Sequence, residues 1–326
     1  MFMRTVLALF AGGFATFALL YCVQPMMPLL SKEFSINAAQ SSLILSVATG
    51  MLAVGLLITG PISDRIGRKP VMVAALLAAA ACTMASALMP SWQGVLVMRA
   101  LVGLSLSGLA AVAMTYLSEE IHPQHIGLAM GLYIGGNAIG GMSGRLIVGV
   151  LIDFVSWHTA MLVIGGLSLI AAAVFWKILP ESRNFRARSL HPRSLLDGFT
   201  MHFRDAGLPW LFLEGFLLMG AFVTLFNYIG YRLLADPYDL SQAGWSLLSL
   251  SLISGWVFLG NLFAQHLVHK TLLACLAWVV FSVLLWGRNH LGWRGHKAIR
   301  WTLAGFCLLM LAYFGSKLVR EYILHI

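Results

Sequence analysis

Apolar residues run through this chain in long unbroken stretches, and the charged residues are gathered into the short segments between them. Ten stretches, at residues 5–30, 41–63, 71–89, 95–117, 126–151, 158–179, 208–231, 243–265, 271–287 and 301–319, have the length and character to cross a bilayer as α-helices. Residues 34–63 and 71–98 contain no Asp, Glu, Lys or Arg at all. The pattern predicts an all-α polytopic membrane protein. Its basic residues cluster at Arg4, at Arg65, Arg68 and Lys69, and at Arg183, Arg186, Arg188, Arg193 and Arg204. Positive charge favours the cytoplasmic side, which places the N-terminus and the segments 60–70, 118–125 and 180–207 inside, and 31–40, 90–94 and 152–157 outside. Segment 118–125 has no Lys or Arg, and its Glu119 and Glu120 carry little weight in that rule.

Composition sharpens this picture. Of 326 residues, 60% are hydrophobic and 10% charged, with a mean hydropathy of +0.86, which excludes a soluble globular domain of this size. The net charge of +9 sits mostly in short loops, so it reads as a topology signal and no nucleic-acid partner is suggested. Cys22, Cys82, Cys275 and Cys307 lie in apolar runs without a C-x-x-C pair and read as packing residues. No convincing small-residue cleavage site follows the first stretch, so 5–30 reads as a retained helix. No metal-spaced cluster, nucleophile elbow or phosphate loop points to an enzyme.

The segment Gly60-Pro61-Ile62-Ser63-Asp64-Arg65-Ile66-Gly67-Arg68-Lys69-Pro70 joins two spans in a tight hairpin. Gly60 and Gly67 suit close backbone approach, and Pro70 suits a position just ahead of the next helix. Asp64 either balances the three cations or makes a switchable contact between helices. The motif G-P-x-x-D-R-x-G-R-K-P resembles the signature loop between the second and third helices of the major facilitator superfamily. Leu179-Pro180-Glu181-Ser182-Arg183 resembles that family's exit from the sixth helix.

Four intramembrane features carry candidate chemistry. Arg99 either snorkels to the headgroups or faces the bundle interior, where a charge is costly and functional; with Gly103 it resembles the fourth-helix motif that the superfamily uses in proton coupling. Gly136, Gly140 and Gly144 form a small-residue stripe that lets another helix pack closely. The stripe also resembles the antiporter branch's fifth-helix motif, although Gly135-Gly136-Asn137-Ala138-Ile139-Gly140-Gly141 lacks the usual proline. Arg145 follows it with no local counter-ion. Tyr21, Gln24 and Pro25 interrupt the first span, and Asn227 and Tyr228 the seventh; such residues either bond a neighbouring helix or line a cavity. Tyr231 and Arg232 read as interfacial.

Up to about residue 242 the chain resembles the YnfM-like efflux branch of the superfamily. The resemblance implies a six-helix N-terminal facilitator half over 1–180, a cytoplasmic linker over 181–207, a seventh facilitator helix over 208–242, and efflux of a small molecule against protons. It further implies that Asp64, Arg65 and Arg68, with Gly60, Gly67 and Lys69 shaping the loop, form a charge cluster with Glu119 or Glu120 that favours the outward-facing state. Tyr21, Gln24, Arg145 and Asn227 would line the cavity. Transport by alternating access takes two halves; only one is evident here, so activity is in question. A homodimer would supply two halves, though nothing in the sequence requires it.

From near Trp245 the tail resembles CcsA/YpjD-like cytochrome c assembly proteins, in the strings around His269-Lys270-Thr271, Leu285-Trp286-Gly287-Arg288, Gly292-Trp293-Arg294-Gly295 and Leu311-Ala312-Tyr313-Phe314-Gly315. About four helices follow the six-helix half in this reading, three of them in the tail, 243–326. Arg288, Arg294, Lys297 and Arg300 ask for a cytoplasmic loop, whereas counting spans places it outside; a join near 240–246 of two differently oriented pieces reconciles the two. His269 is either an interface residue or a haem ligand, and haem is the sole cofactor that any reading suggests. The alternatives to transport are thus a haem-binding or cytochrome c assembly protein, or a fusion with neither activity.

Overall fold

A computed structural model describes residues 2–185, 203, 207–236, 238–248 and scattered positions between 276 and 305. Contacts divide the chain into two compact units, Met1–Leu250 and Ser251–Ile326; the description below concerns the first. Spans expected at 243–265, 271–287 and 301–319, with His269, fall almost wholly outside the described residues. Every regular element among the described residues is an α-helix: α1 (Phe2–Tyr21), α2 (Met27–Glu33), α3 (Ala38–Ile66), α4 (Arg68–Ser86), α5 (Trp92–Glu120), α6 (Ile126–Leu151), α7 (Trp157–Ile178), α8 (Leu208–Leu233) and α9 (Gln242–Leu248). Seven of these, all but α2 and α9, are long and apolar enough to cross a membrane.

Helix starts are written in the polar residues between the apolar runs. Asn37 and Gln40 form a reciprocal capping box that begins α3 at residue 38, and Ser91 and Ser156 cap α5 and α7. The long helices pack as an up–down bundle in which α1 lies against α6 and α7, α3 against α5, and α4 against α5 and α7. Its core has two layers. One gathers Val6–Ala15, Met72–Leu76, Leu109–Ile121, Ala129–Tyr133 and Ala172–Leu179; the other gathers Leu19–Leu30, Ile44–Ala48, Ala79–Ala87, Val95–Leu106, Val148 and Trp157–Ile164. The first layer brings the N-terminus, the 60–70 segment, the end of α5 and the exit of α7 to one end of the bundle.

Two local structures differ from the sequence expectation. Residues 60–66 are not a loop: α3 stays helical to Ile66, and the connection to α4 is Gly67 alone, at φ 116° and ψ 154°, a conformation open essentially to glycine. Pro70 then lies inside the first turn of α4, where its missing N–H would have no partner anyway. The stretch 5–30 is not one helix either. Pro25 has no N–H to give the Tyr21 carbonyl, so Gln24 N–H donates there instead (3.1 Å) and leaves the Leu20 carbonyl without its usual donor. Pro28 repeats the effect on Gln24, whose carbonyl takes the Met27 N–H (3.3 Å). The chain therefore breaks over residues 22–26 and restarts as α2.

Candidate functional site

At the 60–70 end, Arg68 is buried and gathers three helices. Its Nη1 lies 2.5 Å from Asp64 Oδ1, one turn back in α3, and donates to Ser63 Oγ (2.7 Å). Its Nη2 and Nε donate to the two Glu119 carboxylate oxygens at 2.7 and 3.1 Å, a bidentate pair across to α5. The exit of α7 joins this cluster: Lys69 Nζ lies 2.9 Å from Glu181, the Asn184 N–H donates to Glu120 (2.9 Å), its amide to the Glu119 carbonyl (2.8 Å), and Tyr116 O–H to the Pro180 carbonyl (2.9 Å). Arg68 thus selects Glu119, while Glu120 holds the α7 exit. Arg65 is exposed outside the cluster, and Gly60 has open space around it rather than a close neighbour. Ser63 and Asn184 carried no sequence signal; Glu181 sat in the quoted exit motif.

Arg99 is completely buried in the second layer. Its partners are backbone carbonyls: Nη2 donates to Leu20 (2.9 Å), Nη1 to Leu19 (3.1 Å) and Nε to Ile44 (3.4 Å). The guanidinium therefore caps the C-terminal end of α1 where the Pro25 break frees the Leu20 carbonyl, and sits at the negative end of that helix's dipole. Gly103, one turn on, admits this contact, because a Cβ there would strike the Ala48 carbonyl of α3.

The third group is polar and central. A methyl group on Gly136 or Gly144 would stand 2.5 Å from the Phe10 or Ala18 carbonyl, and one on Gly140 would strike the Phe14 carbonyl, so the stripe lays α6 directly on α1. That contact places Arg145 beside the α1 break. Arg145 Nε donates to Gln24 Oε1 (2.5 Å), and Gln24 Nε2 donates to Asn227 Oδ1 of α8 (2.7 Å). Nη1 donates to the Gly141 carbonyl (3.0 Å). The rings of Tyr21, Phe226 and Phe222 lie 4.4, 4.6 and 5.5 Å from its guanidinium carbon. Nη2 is buried and has no hydrogen-bond partner among the described residues.

Tyr231 extends the same seam. Its hydroxyl lies 2.6 Å from Ser31 Oγ and donates to the Met27 carbonyl (3.0 Å), so it ties α8 to α2 rather than serving only as an interface aromatic. Tyr228 is exposed. Beyond α8, both Asp153 oxygens accept from the Gln242 and Ala243 N–H groups (3.0 and 2.8 Å) at the start of α9. Phe222 and Phe226 escaped the sequence reading, yet their four-residue spacing puts them on one side of α8.

A family model described as Major Facilitator Superfamily matches residues 9–323. The inner membrane transport protein YnfM of Escherichia coli (strain K12) is 64% identical over 254 residues, covering 78% of this chain and 61% of that protein. This chain thus spans about three fifths of the length of the curated relatives it matches first. The inner membrane protein YpjD of the same organism is 42% identical over 86 residues, 26% of this chain and 33% of that protein. Among solved structures, a bacterial homolog to the human lysosomal transporter Spinster, inward-facing and unoccupied, superposes with a TM-score of 0.65 at 15% identity, covering 97% of this chain and 74% of that one.

Proposed function

Because this chain belongs to the Major Facilitator Superfamily, we propose that it works in the bacterial inner membrane as part of a proton-coupled exporter of a small molecule. The end bearing the N-terminus and the 60–70 segment faces the cytoplasm, following the placement of its basic residues. The observation that carries the reading is the polar seam between α8 and the rest of the bundle: Gln24 to Asn227 and Tyr231 to Ser31 and Met27. Hydrogen bonds of this kind are remade at modest cost, as alternation between two access states requires. At the opposite end, Asp64 and Glu119 hold Arg68 as the counterpart lock.

Proton-driven efflux from cells making the full chain tests this. Asp64→Asn is expected to slow efflux about tenfold, the effect of a shift of about 1.4 kcal/mol in a two-state equilibrium, with the protein still present in the membrane. Equal efflux from cells with and without the protein overturns the proposal.

The similarity to YpjD supports a second reading, in which the residues after about 243 are a tail of separate origin. Topology reporters placed after Arg204 and at Gly295 test it. A tail that follows its own four cations puts both reporters in the cytoplasm; a periplasmic Gly295 shows that the preceding helices set the register throughout. Haem absorbance that disappears on His269→Ala is the result that would favour a cytochrome-assembly role instead.

A further inference from the structure

The geometry points to Arg145 as the receptor for the carboxylate of a monoanionic organic substrate with an apolar body. This rests on the transporter reading above and names the substrate class for the same seam. Arg145 is 3% exposed, and its polar and ring contacts among the described residues are all uncharged: the Gln24 amide oxygen, the Gly141 carbonyl and three aromatic faces. A cation at this depth without an anion is costly, and a purely structural arginine would be expected to engage all three of its nitrogens, as Arg99 does. Nη2 instead keeps its N–H groups free while Nε and Nη1 are held fixed, so the open donor is already oriented.

One unit of positive charge and one free nitrogen select a single negative charge; a dianion would leave surplus charge in a region of low dielectric. Phe222 and Phe226 of α8 and Tyr21 of α1 offer the apolar body a ring-lined surface. Access comes from α8. That helix carries both phenylalanines, yet Asn227, Gly230 and Leu233 are its only buried residues. Breaking the Gln24–Asn227 bond lifts the rings from Arg145 and uncovers Nη2.

Binding of 3-phenylpropionate and of its neutral amide to the purified full chain in lipid nanodiscs, with no proton gradient, tests the assignment. The acid is expected to bind about tenfold to a hundredfold more tightly than the amide, the worth of a charge-assisted hydrogen bond. Arg145→Gln is expected to abolish that preference and Arg145→Lys to keep part of it. Equal binding of acid and amide, binding of neither, or an acid preference that survives Arg145→Gln overturns the assignment. Should Arg145→Gln fail to give monodisperse protein, the acid–amide contrast in the native chain and in Arg145→Lys decides. Because no transport is involved, acid-selective binding without efflux would count against the exporter reading alone. Efflux without acid preference would count against this assignment alone.

Discussion

Arg99→Met is expected to unfold the second core layer more readily than any conservative change elsewhere in the bundle. Methionine fills a similar volume but leaves the Leu20 carbonyl, now 2.9 Å from a guanidinium nitrogen, buried without that donor, and the Leu19 carbonyl with only the weak Cys22 thiol (3.2 Å). A buried acceptor left without a donor costs about 1–3 kcal/mol, so the melting temperature and yield in detergent should both fall. Arg99→Lys, with a shorter and more flexible reach, should fall in between. The distinction from a coupling role is sharp. An arginine that served only proton coupling would leave thermal stability untouched on replacement and alter only the pH dependence of transport. Wild-type melting in Arg99→Met would remove the capping role.

Gly140→Ala is the second large effect. The added methyl group meets the Phe14 carbonyl, a backbone atom that cannot rotate away, so α1 and α6 must separate. Overpacking of this kind costs about 1–3 kcal/mol, and the separation also draws Arg145 from Gln24. Gly135→Ala is the matched control, since that position has open space around it. It should be neutral or slightly stabilising, within about 1 kcal/mol, because alanine is the better helix former. Equal melting of the two variants would show that the stripe does not set the helix spacing.

The same residues show what the sequence makes legible. Span length and charge placement identified α3 to α8 as membrane helices, because bilayer thickness imposes a length that composition reports directly. The stripe at Gly136, Gly140 and Gly144 was legible as close packing, since its four-residue spacing is the helix's own period. The break after Tyr21 was not, although Gln24 and Pro25 stood out: an apolar window records whether a segment suits lipid, not whether its hydrogen bonds run unbroken. Arg99 was readable as intramembrane but not as a cap. Its partners are main-chain carbonyls, and no side-chain pattern announces those. Tyr231 failed for a third reason: an aromatic near a span end fits the interface so well that its hydroxyl went unweighed against Ser31, 200 residues away in sequence.

The way α8 is held gives it a mechanical character. Its hydrogen bonds to α1's broken end and to α2 come from Asn227 and Tyr231, near one end of the helix. The 19 residues from Leu208 to Asn227 form a rod about 28 Å long on one side of that fulcrum, and the six from Asn227 to Leu233 reach about 9 Å on the other. The arms stand at about three to one. With α8 as a rigid rod turning about Asn227, a movement of about 2 Å at the Leu233 end corresponds to about 6 Å at the Leu208 end.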